Sequence, residues 1–184
     1  MLLVNFVSGP GAGKSTTSAY TFAKLKMAGI KAELVGEEAK ELVYNQAVPM
    51  LDNQILLLGE QYQRTKRLQE AGAEVAICDS PFVLSLVYSK NKPYHSELAA
   101  LARKLESLYP NTVNIYVKRV KPYMKFGRYQ EAEAAASLDQ VALSLVSPLH
   151  LSVTGDESGA MKATSYILEL LETARKEEIT NGGK

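Results

Sequence analysis

Residues 2 to 16 read LLVNFVSGPGAGKST, a nearly unbroken apolar run that passes through three closely spaced glycines into a Lys-Ser-Thr triplet. An apolar run bounded by glycine predicts a strand covered on both faces by helices. Glycines at 9, 11 and 13 let the backbone turn successive N–H groups inward, a geometry that costs residues carrying a Cβ. Lys14 then reaches the β- and γ-phosphates of ATP, the Ser15 hydroxyl holds Mg²⁺, and a helix from residue 14 adds its N-terminal dipole. The predicted cradle is Gly9, Gly11, Ala12, Gly13, Lys14, Ser15 and Thr16. The pattern G-x-x-x-x-G-K-[ST] has glycine where this chain has the small residue Ser8.

Working outward, residues 75 to 79 form a second unbroken apolar run, and residues 31 to 35, 112 to 118 and 149 to 153 supply three further strands. Stretches between them have room for helices. Leu98, Leu101, Leu105 and Leu108 are expected on one buried helical face, and Ile167, Leu168, Leu171 and Ala174 on another. Strand alternating with helix predicts a three-layer α/β fold with a mainly parallel five-stranded sheet, residues 1 to 184 forming one domain. Ligands of such folds sit at the carboxyl ends of the strands.

Composition narrows the partners. With 21 Lys plus Arg against 20 Asp plus Glu, no global field points to nucleic acid or membrane, so any such partner is met locally. Apolar residues make up 46% of the chain, enough for a compact core. The single cysteine, Cys78, excludes an internal disulfide and fits a buried thiol in a reducing compartment. MLLVNFV enters the glycine loop without a basic leader or cleavage site, and no apolar run approaches a membrane span. A cytoplasmic location is expected. The residues leave the oligomeric state open, with a homodimer allowed.

Two carboxylate positions bear on chemistry. Asp79 ends the run VAICD, where a P-loop protein places a second Mg²⁺ anchor, and it equally suits an N-cap for a helix after Pro81. Glu37 and Glu38 follow the second strand, where a carboxylate can take the proton of an acceptor hydroxyl or simply decorate the first turn of a helix. Glu37 is the preferred base and Asp79 its rival.

Residues 118 to 128, KRVKPYMKFGR, hold five cations and no acid, and Tyr123, Phe126 and Tyr129 are interleaved with them. A lid at about 119 to 130 could bring Arg119 and Arg128 to the charge of a transferring phosphoryl group. Lys121, Tyr123 and Lys125 would suit a nucleic-acid backbone and an unstacked base. Arg64 to Arg67 and Lys90 to Lys92 are further basic stretches, while His95 and His150 lack partners at metal-ligand spacing.

SGPGAGKSTTSAYTFAKLKMAGIKAELVGEEAKELV, DNQILLLGEQYQRTKRL, CDSPFVLSLVY and VKRVKPYMKFGRYQ together resemble, in order and spacing, small phage-encoded P-loop kinases that share ancestry with nucleoside and nicotinamide riboside kinases. Within that group the chain is most similar to kinases that phosphorylate 5-hydroxymethyluridine in phage DNA before the base is hypermodified. The resemblance spans nearly the whole chain. It implies ATP and Mg²⁺ as cofactors, an acid at Glu37, an Asp-Ser pair at Asp79 and Ser80, lid residues around Arg119 and Arg128, and the cytoplasm of an infected bacterium as location. It also implies a substrate-side helix carrying Gln54, Glu60, Gln61 and Arg64. Glu38 stands where the family pattern has an aromatic residue, which bears on the substrate.

Three readings follow. The first is a kinase acting on DNA that contains 5-hydroxymethyluracil. The second is a kinase of a free nucleoside, nucleoside monophosphate or nicotinamide riboside, which the balanced charge also suits. The third is a non-kinase P-loop ATPase module, for which the chain after residue 155 leaves little room.

Overall fold

The computed structural model describes residues 1–36, 38–126 and 131–181, apart from the side chains at 38, 178, 179 and 181. Five strands form one sheet: β1 (Leu2–Val7), β2 (Ala32–Val35), β3 (Val75–Cys78), β4 (Thr112–Lys118) and β5 (Leu151–Thr154). Their spatial order is β2-β3-β1-β4-β5 and every pairing is parallel. Among the described residues seven α-helices accompany them: α1 (Lys14–Met27), α2 (Glu38–Tyr44), α3 (Gln54–Glu70), α4 (Ser85–Ser89), α5 (His95–Ser107), α6 (Ala132–Leu145) and α7 (Glu157–Asn181). Two 3-10 turns, Val48–Asp52 and Phe82–Leu84, precede α3 and α4.

The period-two alternation of a strand assigns each face of the sheet its own core. Leu3, Val7, Ala76 and Cys78 pack with Leu58 of α3, Leu86 of α4, Leu98, Ala102 and Leu105 of α5 and Ala142 of α6. Val4, Phe6, Val75, Ile77, Val113, Ile115 and Val117 face the other way, against Leu25 of α1 and Ala163 and Ile167 of α7. Fully burying such a side chain stabilises the fold by about 1.5–3 kcal/mol each. The sheet is held by both layers, which is why its central strands are apolar on both faces.

Two predicted helical faces shift. On α5 the buried positions are Leu98, Ala102 and Leu105, whereas Leu101 and Leu108 are exposed. Residues three apart diverge by about 60° on a helix of 3.6 residues per turn, so these leucines leave the stripe at its edge. On α7 the core residues are Ala160, Ala163 and Ile167, with Leu168 and Leu171 half-buried and Ala174 exposed. The fifth strand begins at Leu151 rather than 149, and the ladder with β4 opens at the Ile115–Leu151 pair.

β1 lies at the centre, and the chain crosses from β3 on one side of it to β4 on the other. The loop after β1 therefore emerges where the order of strands reverses, the place where open parallel sheets form a crevice. No helix among the described residues is long and apolar enough to cross a membrane.

Candidate phosphate-binding and acceptor site

The loop Ser8–Gly13 leaves β1 and enters α1 through Gly13, whose φ of 114° lies in the left-handed region, as does the 77° of Gly11. A Cβ on Gly13 would stand 2.8 Å from the carbonyl oxygen of Gly155, so the loop needs glycine there for contact as well as conformation. No side chain caps α1 and its first turn holds no acid. Its leading N–H groups and positive dipole end are thus aimed at the loop, the arrangement that binds phosphate. Lys14 Nζ donates to the carbonyl oxygens of Ser8 and Gly9, each at 3.0 Å.

Ser15 Oγ donates to Asp79 Oδ2 at 2.6 Å, joining the first turn of α1 to the residue after β3. Asp79 is buried. The turn Phe82–Leu84 has Pro81 at its N-cap and no side-chain cap bond, so Asp79 does not cap that turn. Mg²⁺ commonly takes one or two protein oxygens and completes its shell with water and substrate phosphates. The Ser15–Asp79 pair fits that demand.

ATP fits as well. Besides the cradle, Arg119 leaves Nη1 buried without a hydrogen-bond partner among the described residues, 3.3 Å from where a Gly11 Cβ would stand. That is a donor beside the phosphate loop. The other guanidinium nitrogens are committed: Nε donates to Asp139 Oδ2 and Nη2 to Asp139 Oδ1, both at 2.9 Å, and Nη2 also to the carbonyl oxygen of Pro10 at 2.8 Å.

The loop opens on a cavity of about 940 Å³. One end is Ser8 to Gly11 and Gly13 to Thr16. The other is walled by Val43 and Tyr44 of α2, Val48, Pro49 and Leu51 of the first 3-10 turn, Gln54, Leu57 and Gln61 of α3, and Phe82 and Tyr88 beyond β3. Met124 and Phe126 cover it from the segment after β4, Phe126 standing 6.1 Å from the Tyr44 ring. Apart from Lys14, the charged residues in this lining among the described residues are Lys40 and Asp52, and Asp52 is paired with Lys92.

The structure brings Lys14, Ser15, Thr16, Gln54 and Gln61 to this cavity, with Asp79 bonded to Ser15 at its phosphate end. Ala12 is buried and enters the loop by its backbone. Gln54 Nε2 donates to Leu51 O, and Gln61 Nε2 to Cys78 Sγ, so both amides are already oriented.

Arg64, Lys121, Tyr123 and Lys125 are not brought to the cavity. Arg64 Nη1 donates to Gly36 O, just after β2. The residues of the segment after β4 diverge: Met124 and Phe126 enter the cavity, whereas Tyr123 lies against Gly11 and Arg119, and Lys125 pairs with Glu131. Lys121 stands near Asp156. The N–H of Gly159 and the Thr154 hydroxyl hold that carboxyl below its ordinary range, and the Lys121 charge adds to the effect. Glu37 and Arg128 lie outside the described residues, as does the Glu38 side chain. His95 Nδ1 is bonded to Ser89 Oγ, and His150 Nδ1 accepts from the Asn114 N–H.

Sequence reasoning missed Asp139. Its signal was faint but present, since it is the only charged residue between 134 and 146 and shares the buried face of Ala135 and Ala142.

The architecture can be compared with solved structures. The NadR protein in complex with NR superposes with a TM-score of 0.70 at 19% identity over 91% of this chain. The chain has the P-loop kinase fold. NadR in complex with NAD and AMP-PNP gives a TM-score of 0.63 at 16% identity, and the Mycobacterium tuberculosis APS kinase CysC Cys556Ala mutant gives 0.52 at 18%. The chain spans about half the length of the NadR chains, 51% and 49%, but 97% of that APS kinase. No protein-family model matches the sequence, and none of the curated proteins is significantly similar to it.

Proposed function

We propose that the chain is an ATP-dependent kinase that moves the γ-phosphate onto a hydroxyl, and that this hydroxyl is the 5-hydroxymethyl group of 5-hydroxymethyluracil in DNA. The observation that carries the kinase reading is the Ser15–Asp79 hydrogen bond at the foot of a glycine cradle that opens on a ring-lined cavity. ATP would be held by the loop amides, Lys14 and the α1 dipole, and Mg²⁺ by Ser15 and Asp79; together they supply charge stabilisation for a transferring phosphoryl group. Lys14 leaves two carbonyl oxygens for phosphate oxygens. Glu37, which directly precedes the α2 wall of the cavity, takes the acceptor proton, and Asp79 is its rival. Arg128 lends positive charge from the lid.

Two features support a nucleobase at the acceptor end. Tyr44, Phe82, Tyr88 and Phe126 offer ring faces, and Gln54 and Gln61 offer amides that can read base edges. The resemblance across nearly the whole sequence supports 5-hydroxymethyluracil, a base that would leave the stack to enter. Such a substrate would place the protein in the cytoplasm of an infected bacterial cell.

A second reading, a free nucleoside as acceptor, is favoured by the superposition on NadR in complex with NR. Labelled ATP offered with a duplex carrying 5-hydroxymethyluracil, the same duplex with thymine, and free nucleosides separates the two. Label in the modified duplex alone is the expected result. Label in a free nucleoside alone replaces it with the second reading, and ATP hydrolysis without transfer removes the kinase.

A further inference from the structure

Asp139 sits on α6, 130 residues from the loop it touches, yet its carboxylate is the hub of the loop's first corner. Oδ1 accepts from the Ser8 hydroxyl at 3.0 Å, from the Gly9 N–H at 2.8 Å and from Arg119 Nη2 at 2.9 Å, while Oδ2 accepts from Arg119 Nε. Arg119 then reaches past the carboxylate to the carbonyl of Pro10. Ser8, Gly9 and Pro10 are thus each bonded to one buried ion pair, whose side chains keep only 18% and 11% of their exposure. Contact is so close that a Cβ on Gly9 would lie 2.5 Å from Asp139 Oδ1 and 2.4 Å from Ala135 O.

We propose that Asp139 is a positioning residue for the phosphate loop, its carboxylate and the Arg119 guanidinium holding Ser8–Pro10 so that the amides from Gly11 to Thr16 stand ready for phosphate. The inference rests on the loop being the ATP site. Asp139 contacts no transferring atom; it acts through the backbone. The ion pair also explains Ser8, because the hydroxyl gives the carboxylate a partner that glycine would not. Arg119 opens the segment between β4 and α6 and Asp139 lies on the helix that closes it, so the pair fastens both ends of the lid segment to the loop.

Charge-bearing hydrogen bonds differ from a merely stabilising contact in what their loss changes. Asp139→Asn keeps the size and removes the charge. Without nucleotide, the amides of residues 9 to 13 should exchange hydrogen faster while those of β1 stay protected, and ATP should bind at least about tenfold more weakly, the loss expected for hydrogen bonds to a charged group. KM for the acceptor should change less than twofold. Because the substitution strands a buried guanidinium, Ser8→Ala, which removes the hydroxyl that bonds Asp139 and Tyr116 and leaves the ion pair, serves as the milder variant. It should weaken ATP by about two- to tenfold. Unchanged loop exchange and unchanged ATP affinity in folded Asp139→Asn overturn the proposal, as does a lower melting temperature with no change in either. If Asp139→Asn does not fold, unchanged ATP affinity in Ser8→Ala overturns it. A wild-type protein that binds no ATP sinks the kinase reading instead, and the exchange measurement still decides whether Asp139 orders the loop.

Discussion

The Ser15 hydroxyl and the Asp79 carboxylate meet at 2.6 Å, so the first turn of α1 and the end of β3 present their oxygens as one unit beside the phosphate loop. Asp79→Asn should keep the fold and lower phosphate transfer by about 10²-fold or more, the scale on which a metal's charge stabilisation acts. Raising Mg²⁺ should recover part of the rate. A variant with unaltered Mg²⁺ dependence, measured by titrating transfer with the metal, would take Asp79 out of the metal's shell.

Among the described residues Lys14 donates to the carbonyls of Ser8 and Gly9 alone, so its removal opens no apolar cavity. Lys14→Ala should cost about 0.5–1.5 kcal/mol of stability per lost bond at most, yet abolish transfer, because in the proposed reaction the ammonium would lie against oxygens that gain charge in the transition state. Thermal melting alongside single-turnover kinetics checks both halves. Near-normal turnover would remove the loop from the mechanism.

Glu37 is expected to fail differently. Glu37→Gln should leave nucleotide affinity intact and reduce transfer by about 10²- to 10⁴-fold, the usual worth of a positioned base. Should the rate hold, the assignment passes to Asp79.

Gly13 adopts a φ of 114° and touches Gly155 across the loop. Gly13→Ala should destabilise the protein by about 1–3 kcal/mol through the left-handed conformation alone, and the clash with the Gly155 carbonyl adds to it. Calorimetry of the variant checks this, and melting equal to that of the parent chain would contradict the loop geometry.

If the acceptor is DNA, Lys121 and Lys125, which point away from the cavity, are available to phosphates along its outer edge. Each such contact should contribute about 0.7–0.9 to the log–log salt slope of DNA binding. Lys121→Ala and Lys125→Ala should each lower that slope and weaken all sequences alike. Lys125 must first leave Glu131, so its effect should be the smaller. Binding indifferent to salt and to both changes would leave a small-molecule kinase.

Local signals account for what could be read in advance. The strands declared themselves as apolar runs, and the phosphate loop as glycines followed by Lys-Ser, because each depends on residues adjacent in the chain. The helical faces were read less well, since a leucine spacing of three or four allows more than one stripe: Leu101 is exposed while Ala102 is fully buried. Among lid residues, charge drew the eye to Lys121 and Lys125, but the structure turns Met124 and Phe126 into the cavity.

By itself the sequence determined a parallel α/β sheet with a phosphate loop at the end of its first strand, because periodicity and glycine placement are properties of short segments. Only the tertiary structure decided which distant groups complete the site. Asp79 lies 64 residues from Ser15, and Asp139 lies 20 from Arg119 and 131 from Ser8. The end of the run VAICD marks Asp79 in advance, whereas a lone aspartate in an apolar helix gives only a faint signal, one that does not tell whether it faces water or a buried arginine. The order β2-β3-β1-β4-β5 and the packing of α6 against the loop bring Asp139 to that arginine, and with it the corner from which the phosphate loop is built.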